Sequence, residues 1–173
     1  NVKGKAQNKE EHSISDQEQG GMVAKVFKAD PNHIWIISEL VRPLKDRKEF
    51  KDLAGFPFTI VNQLFTVFQS DYNRFTARVK EALDKSNPSQ IMFHEFEEEY
   101  KALIDPNTKT FIAKLLRLQK NYHLQYGDLI NVAHWGKTPD NRVVILDYGF
   151  THDVYVDHYQ DNNIQNAPTV QDV

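Results

Sequence analysis

Two aspartates, Asp128 and Asp147, stand nineteen residues apart, and each lies at the mouth of an expected β-hairpin. Asp147 closes the run "VVILD", so the backbone ahead of it is expected to be buried and rigid, with the carboxylate free to point into a cleft. Two carboxylates on neighbouring loops can hold a cation and orient a hydroxyl. Phosphoryl transfer asks for that work, because its catalysis is mostly positioning plus charge neutralisation. Mg²⁺ takes one or two carboxylates together with phosphate oxygens, so two aspartates suffice without a protein cage. The alternative is structural: an aspartate after a strand also caps turns.

Other residue groups carry weaker chemistry. His152, Asp153, Asp157 and His158 are of zinc- or manganese-binding type, but their spacing matches no zinc pattern. His94 sits beside an apolar helix stripe and reads as a surface or core-edge histidine. Glu95 to Tyr100, "EFEEEY", is a charge run that reads as a solvated helix face able to meet a basic partner. Lys114, Arg117 and Lys120 share one face of a helix and read as solvated. Nothing resembles a nucleophile elbow.

The elements that must position these residues follow from pattern. Residues 1–21 are polar, and either mobile or a short, weakly anchored helix, ending at Gly20-Gly21. Val23 to Phe27 and Ile34 to Ile37 flank Asp30-Pro31-Asn32 as a hairpin. From Asp46 the texture turns helical, with Gly55 stopping the first helix. Thr59 is expected to cap a helix with Ile60, Leu64, Phe65 and Phe68 inward, and a further helix carries Phe75, Val79 and Leu83. Ser89 is expected to cap a helix whose stripe is Met92, Phe93, Phe96, Tyr100 and Leu103. Thr108 is expected to cap one with Ile112, Leu115, Leu116 and Leu118 inward. These stripes read as core. After Tyr126-Gly127 comes strand, turn "KTPDN" and strand, with Trp135-Gly136 packing the hairpin, then a short irregular element at "THDVYVDHYQ" and a polar tail. The sum is an α+β fold.

Bulk properties set limits. The 173 residues suit one domain, with eleven Phe, seven Tyr and two Trp for a core. Cysteine is absent, which rules out disulfides and thiolate metal sites and fits a reducing compartment. A net charge of −3 argues against a general nucleic-acid binder. No apolar run is long enough to span a membrane. The chain opens on Asn1 and shows no signal peptide, which predicts a start inside a longer gene product.

Taken together, "ILDYG" resembles the D-F-G of protein kinases, and "YGDLINVAHWG" resembles their catalytic loop H-R-D-L-x-x-x-N. "HIWIISELVRPL" resembles the fifth strand and hinge, "MVAKVF" the strand before it, and "KGKAQNKEE" the start of the helix that bears the strand lysine's glutamate partner. The chain thus resembles a truncated protein-kinase-like fold over residues 1–153. It is similar to the compact kinase-like proteins encoded by bacteriophages and, more distantly, to aminoglycoside phosphotransferases. The resemblance implies a partial N-lobe over 1–44, a helical C-lobe with the catalytic-type hairpin over 45–159, and a tail over 160–173. It implies ATP and Mg²⁺ as cofactors, Asp147 as metal ligand, Asp128 as base and Glu11 as the lysine's partner. Glu39, Leu40 and Val41 would present backbone groups to adenine.

The chain departs from the family's pattern at several points. The expected asparagine position is Ala133, flanked by Asn131 and His134, either of which could substitute; imidazole suits softer metals than Mg²⁺. Tyr126-Gly127 replaces His-Arg, and no glycine-rich loop, strand lysine or A-P-E segment is visible. Two interpretations remain open: part of an active phosphotransferase whose lysine lies upstream, or a degenerate, non-catalytic pseudokinase. The second would be a virion or host-interaction module with a protein partner in a viral or host assembly. Either would reside in the host cytoplasm or the virion.

Overall fold

The computed structural model describes residues 1–159. Among them eight α-helices surround two small antiparallel sheets, an α+β arrangement that is mostly helical. In chain order the elements are α1 (Val2–Gln17), β1 (Val26–Ala29), β2 (Ile36–Ser38), β3 (Arg42–Pro43), α2 (Arg47–Ala54), α3 (Phe58–Thr66) and α4 (Tyr72–Lys85). It continues with α5 (Ile91–Ile104), α6 (Pro106–Tyr122), α7 (Tyr126–Leu129), a 3-10 turn (Val132–His134), β4 (Trp135–Lys137), β5 (Val143–Ile145) and α8 (His152–His158). No described helix is long and apolar enough to cross a membrane.

Helix boundaries follow local chemistry, with three corrections. Asp46 caps α2 by accepting from the Glu49 N–H, and Gly55 ends it at φ 82°, a conformation that suits glycine. Helix α3 starts after Pro57 rather than at Thr59, because proline fixes the entry φ. Helix α6 is capped by Asp105, whose side chain accepts from the Thr108 N–H, with Pro106 at the first helical position; Thr108 itself lies inside. Ser89 does not cap α5, since its hydroxyl is spent on Asn87 Oδ1 at 2.9 Å, and Gln90 holds the cap position.

The core confirms most of the apolar stripes. Ile60, Leu64, Phe65, Phe75, Val79, Ile112, Leu115 and Leu118 are buried. At its centre Phe50, Phe56, Phe58 and Trp135 pack largely edge to face, with ring centroids 4.9 to 6.2 Å apart. Trp135 is fully buried and donates its indole N–H to Leu129 O at 2.9 Å. Helix α5 departs from expectation: Leu103 is its buried residue, whereas Met92 is 58% exposed and Ile91 80%. That helix packs on α4 and α6 but leaves its first turns open toward α3.

The three-stranded sheet has the order β3-β4-β5, with Trp135 opposite Ile145 and Gly136 opposite Val144. Met22 to Ala24 run parallel to β5: Ile145 N–H donates to Met22 O at 2.8 Å and Ala24 N–H to Ile145 O at 3.0 Å. Val23 therefore belongs to this sheet, and the expected hairpin begins at Val26. Its turn is held by Asp30, whose carboxylate accepts from the Asn32 and Ile34 N–H groups. The outer edge of β2 pairs with no described strand, and Phe27, Trp35 and Ile37 are exposed on this hairpin.

Helix α1 is better anchored than its polar sequence suggests. Ile14 and Ser15 are buried, and Ser15 Oγ accepts from the buried Val26 N–H at 2.7 Å. The element at 151–159 is a regular helix, α8, capped by Thr151 and resting on α1.

Candidate functional site

The hairpin β4–β5 delivers Asp147. Leu146 N–H donates to His134 O at 2.8 Å, which prolongs the pairing to the residue before it. Asp147 itself is exposed, while Tyr148 and Gly149 behind it are buried. Tyr148 donates its hydroxyl to Ala24 O, and burial, with Glu11 nearby, pushes its phenol upward. Gly149 is required by contact rather than by φ: a Cβ there would lie 2.4 Å from Gln7 O and 2.8 Å from Glu11 Cγ. The segment after Asp147 is thus pressed against α1, and that contact brings Glu11 to Asp147.

Glu11 shows the consequence. Burial, then the Asp147 charge, push its carboxyl up to about 7, and the Gly149 backbone N–H partly offsets the rise. Asp128 is also raised, first by burial and further by Asp147, with His134 pulling the other way. Glu11, Asp128 and Asp147 therefore lie within one electrostatic neighbourhood. Among the described residues no Lys or Arg lies within 4 Å of any of the three.

Asp128 sits in the short helix α7, rather than at the mouth of the hairpin, and faces the 3-10 turn. His134 Nδ1 lies 3.2 Å from Asp128 Oδ1. The approach is off the hydrogen-bonding direction, so this buried nitrogen has no hydrogen-bond partner among the described residues. Asn131 Oδ1 accepts from the Ala133 N–H at 3.1 Å, and its Nδ2 lies 3.4 Å from His134 Nε2. The Asn131 oxygen that could face a cation is therefore occupied in capping the turn.

The donor chemistry fits Mg²⁺ in part. Carboxylate oxygens are suitable hard ligands; the His134 nitrogen is not. Among the described residues, no three His, Asp or Glu side chains converge closely enough to form a metal cage. His152, Asp153, Asp157 and His158 of α8 likewise form no such group. A magnesium ion here would draw on Asp147 and Asp128 and take its remaining ligands from phosphate and water.

The residues expected at the adenine edge, Glu39, Leu40 and Val41, lie between β2 and β3. Glu39 N–H is already donated to Lys25 O at 2.6 Å, and its carboxylate accepts from Arg142 at 2.6 Å. Leu40 is 81% exposed, beside the Thr138–Asn141 turn. Val41 packs over Gly136. A Cβ on Gly136 would lie 2.4 Å from Val41 Cγ1 and 2.9 Å from Leu146 Cδ2, so both side chains cover that glycine. Of the residues that place the site's walls, Ser15 carried no sequence signal, whereas Tyr148 and Gly149 stood in the "DYG" motif and Gly136 in "WG" without their contacts being readable. No family model, curated protein or solved structure matches the chain.

Proposed function

We propose that the chain is a kinase-like phosphotransferase fold that binds a magnesium–nucleotide complex, with ATP as the phosphate donor and a hydroxyl as the acceptor. The observation that carries this reading is the gathering of Glu11, Asp128 and Asp147 around the β5 exit without a basic partner. Exposed Asp147 is the metal-holding residue. Asp128 receives the acceptor's proton, and the raised carboxyl makes it a better base than an ordinary aspartate. When bound, Mg²⁺ supplies neutralisation of phosphate charge. Glu11 pairs with a cationic side chain, a lysine on a further strand seated along the free edge of β2 and the apolar residues Phe27, Trp35 and Ile37. Val41 and Leu146 offer the apolar surface for the base.

A second reading has its own support. The engaged Asn131 oxygen and the engaged Glu39 N–H favour a degenerate module that binds a protein partner in a phage virion or host assembly. Thermal melting separates the two. With Mg·ATP, the longest natural form is expected to melt higher, and Asp147→Ala and Asp128→Asn are expected to lose the shift. No shift in the intact protein would reject the phosphotransferase reading in favour of the module.

A further inference from the structure

A cavity of about 600 Å³ lies away from the carboxylate site, between α3 and α5. Its apolar lining includes Pro57, Ile91 and Phe96, and its rim carries Glu95, Glu98 and Glu99. Gln63 Nε2 donates to Glu99 Oε1 at 2.9 Å and ties the two helices together. The groove explains why the α5 stripe is incompletely covered: Ile91 stands 80% exposed at its lip.

The rim charges are poorly compensated. Among the described residues no Lys or Arg comes within 4 Å of Glu95 or Glu99. The nearest approach to Glu98 is Lys101 at 3.8 Å, and that lysine lies closer to Glu97, at 3.0 Å. Glu99 is half-buried, and its carboxyl is raised first by burial and further by Glu95. The three carboxylates occupy positions i, i+3 and i+4 of one helix, so they lie on adjacent points of one face. Lysines at the same spacing on a second helix would meet them in register, while that helix's apolar side entered the groove.

We propose that the α3–α5 groove docks a basic amphipathic helix of another protein. Its apolar residues rest on Pro57, Ile91 and Phe96, and its lysines or arginines face Glu95, Glu98 and Glu99. The inference does not depend on the phosphotransferase reading, because none of these residues belongs to the carboxylate site.

A labelled Leu/Lys peptide of about 18 residues, patterned for a helix, tests it by fluorescence anisotropy with the purified chain. Saturable binding is expected. It should weaken about tenfold in E95K/E98K, but not in D16K/D52K, which changes net charge equally at exposed sites elsewhere. Ile91→Ser, which leaves charge unchanged, should also weaken it. Circular dichroism confirms that each variant is folded. Absent saturation, equal weakening in the two charge variants, or an unaffected Ile91→Ser would each overturn the proposal. So would a concentration-dependent dimer of the chain that Ile91→Ser abolishes, since a second copy would then occupy the groove.

Discussion

Replacing Glu11 with glutamine should stabilise the protein, and do so increasingly as pH rises. A carboxyl raised from 4.5 to about 7 on folding binds its proton more tightly in the native state. Below pH 4.5 both states are protonated and the burial carries no ionic penalty. Between 4.5 and 7 the unfolded chain releases the proton first, so stability falls as pH rises, and above 7 the loss is complete. The full loss corresponds to about 3 kcal/mol, of which about 1 kcal/mol has accrued by pH 5. Glutamine keeps the shape and an oxygen for the Gly149 N–H, but its amide N–H₂ also needs a partner, so the net gain is smaller. We expect Glu11→Gln to gain about 1–3 kcal/mol at pH 8 over the natural protein, and clearly less at pH 5. Urea unfolding at both pH values and constant ionic strength, followed by tryptophan fluorescence, measures the difference. Parallel pH profiles for the two proteins, or a variant less stable at pH 8, would refute the argument that Glu11 is a buried carboxylate facing Asp147.

Two further perturbations test the scaffold. Gly149→Ala places a methyl 2.4 Å from Gln7 O, so α1 must move away; we expect a loss of about 1–3 kcal/mol and faster hydrogen exchange in α1. Unchanged exchange would show that the DYG segment does not clamp that helix. Trp135→Phe removes the N–H that satisfies Leu129 O and should cost about 1–3 kcal/mol in urea unfolding followed by circular dichroism, since the variant lacks the buried tryptophan. A loss below about 0.5 kcal/mol would show that this bond does not hold α7 to the hairpin.

The helices were legible where burial is apolar and periodic. Phe75, Val79, Ile112 and Leu115 announce their faces, and Gly55 announces a stop, because each acts through a local or one-sided rule. Helix α1 was offered by the sequence only as a weakly anchored alternative, since what it buries is Ile14, a serine hydroxyl and a carboxylate, and those residues carry no periodic signal. Caps were misplaced where a stronger local device competed: Pro57 over Thr59, and Asp105 with Pro106 over Thr108. Within the site, Asp128 and Asp147 could be paired from sequence because Asp147 closes a strand run and each aspartate falls in one of two motifs that flank the same expected hairpin. The occupation of the Glu39 N–H and of Asn131 Oδ1 could not, because each depends on a backbone partner fixed by the fold.

The energetics of Glu11 bear on which reading of the site is favoured. An unpaired carboxylate, largely buried and set beside Asp147, opposes folding at neutral pH, and a neutral side chain of the same size would relieve the cost. A purely structural role for the helix is already met by Ile14 and Ser15, which pack and hydrogen-bond without charge. The penalty becomes useful if a cation enters. A lysine ammonium or a divalent cation would gain an interaction with the largely buried Glu11 that solvent screens little, and a more screened one with the exposed Asp147. Binding would then lower the Glu11 carboxyl toward its ordinary value and release a proton near neutral pH, where the free site holds it about half the time. The folded protein thus keeps its acids in a state that a positive ligand stabilises, which supports a cation-dependent role over a relic packed only for shape.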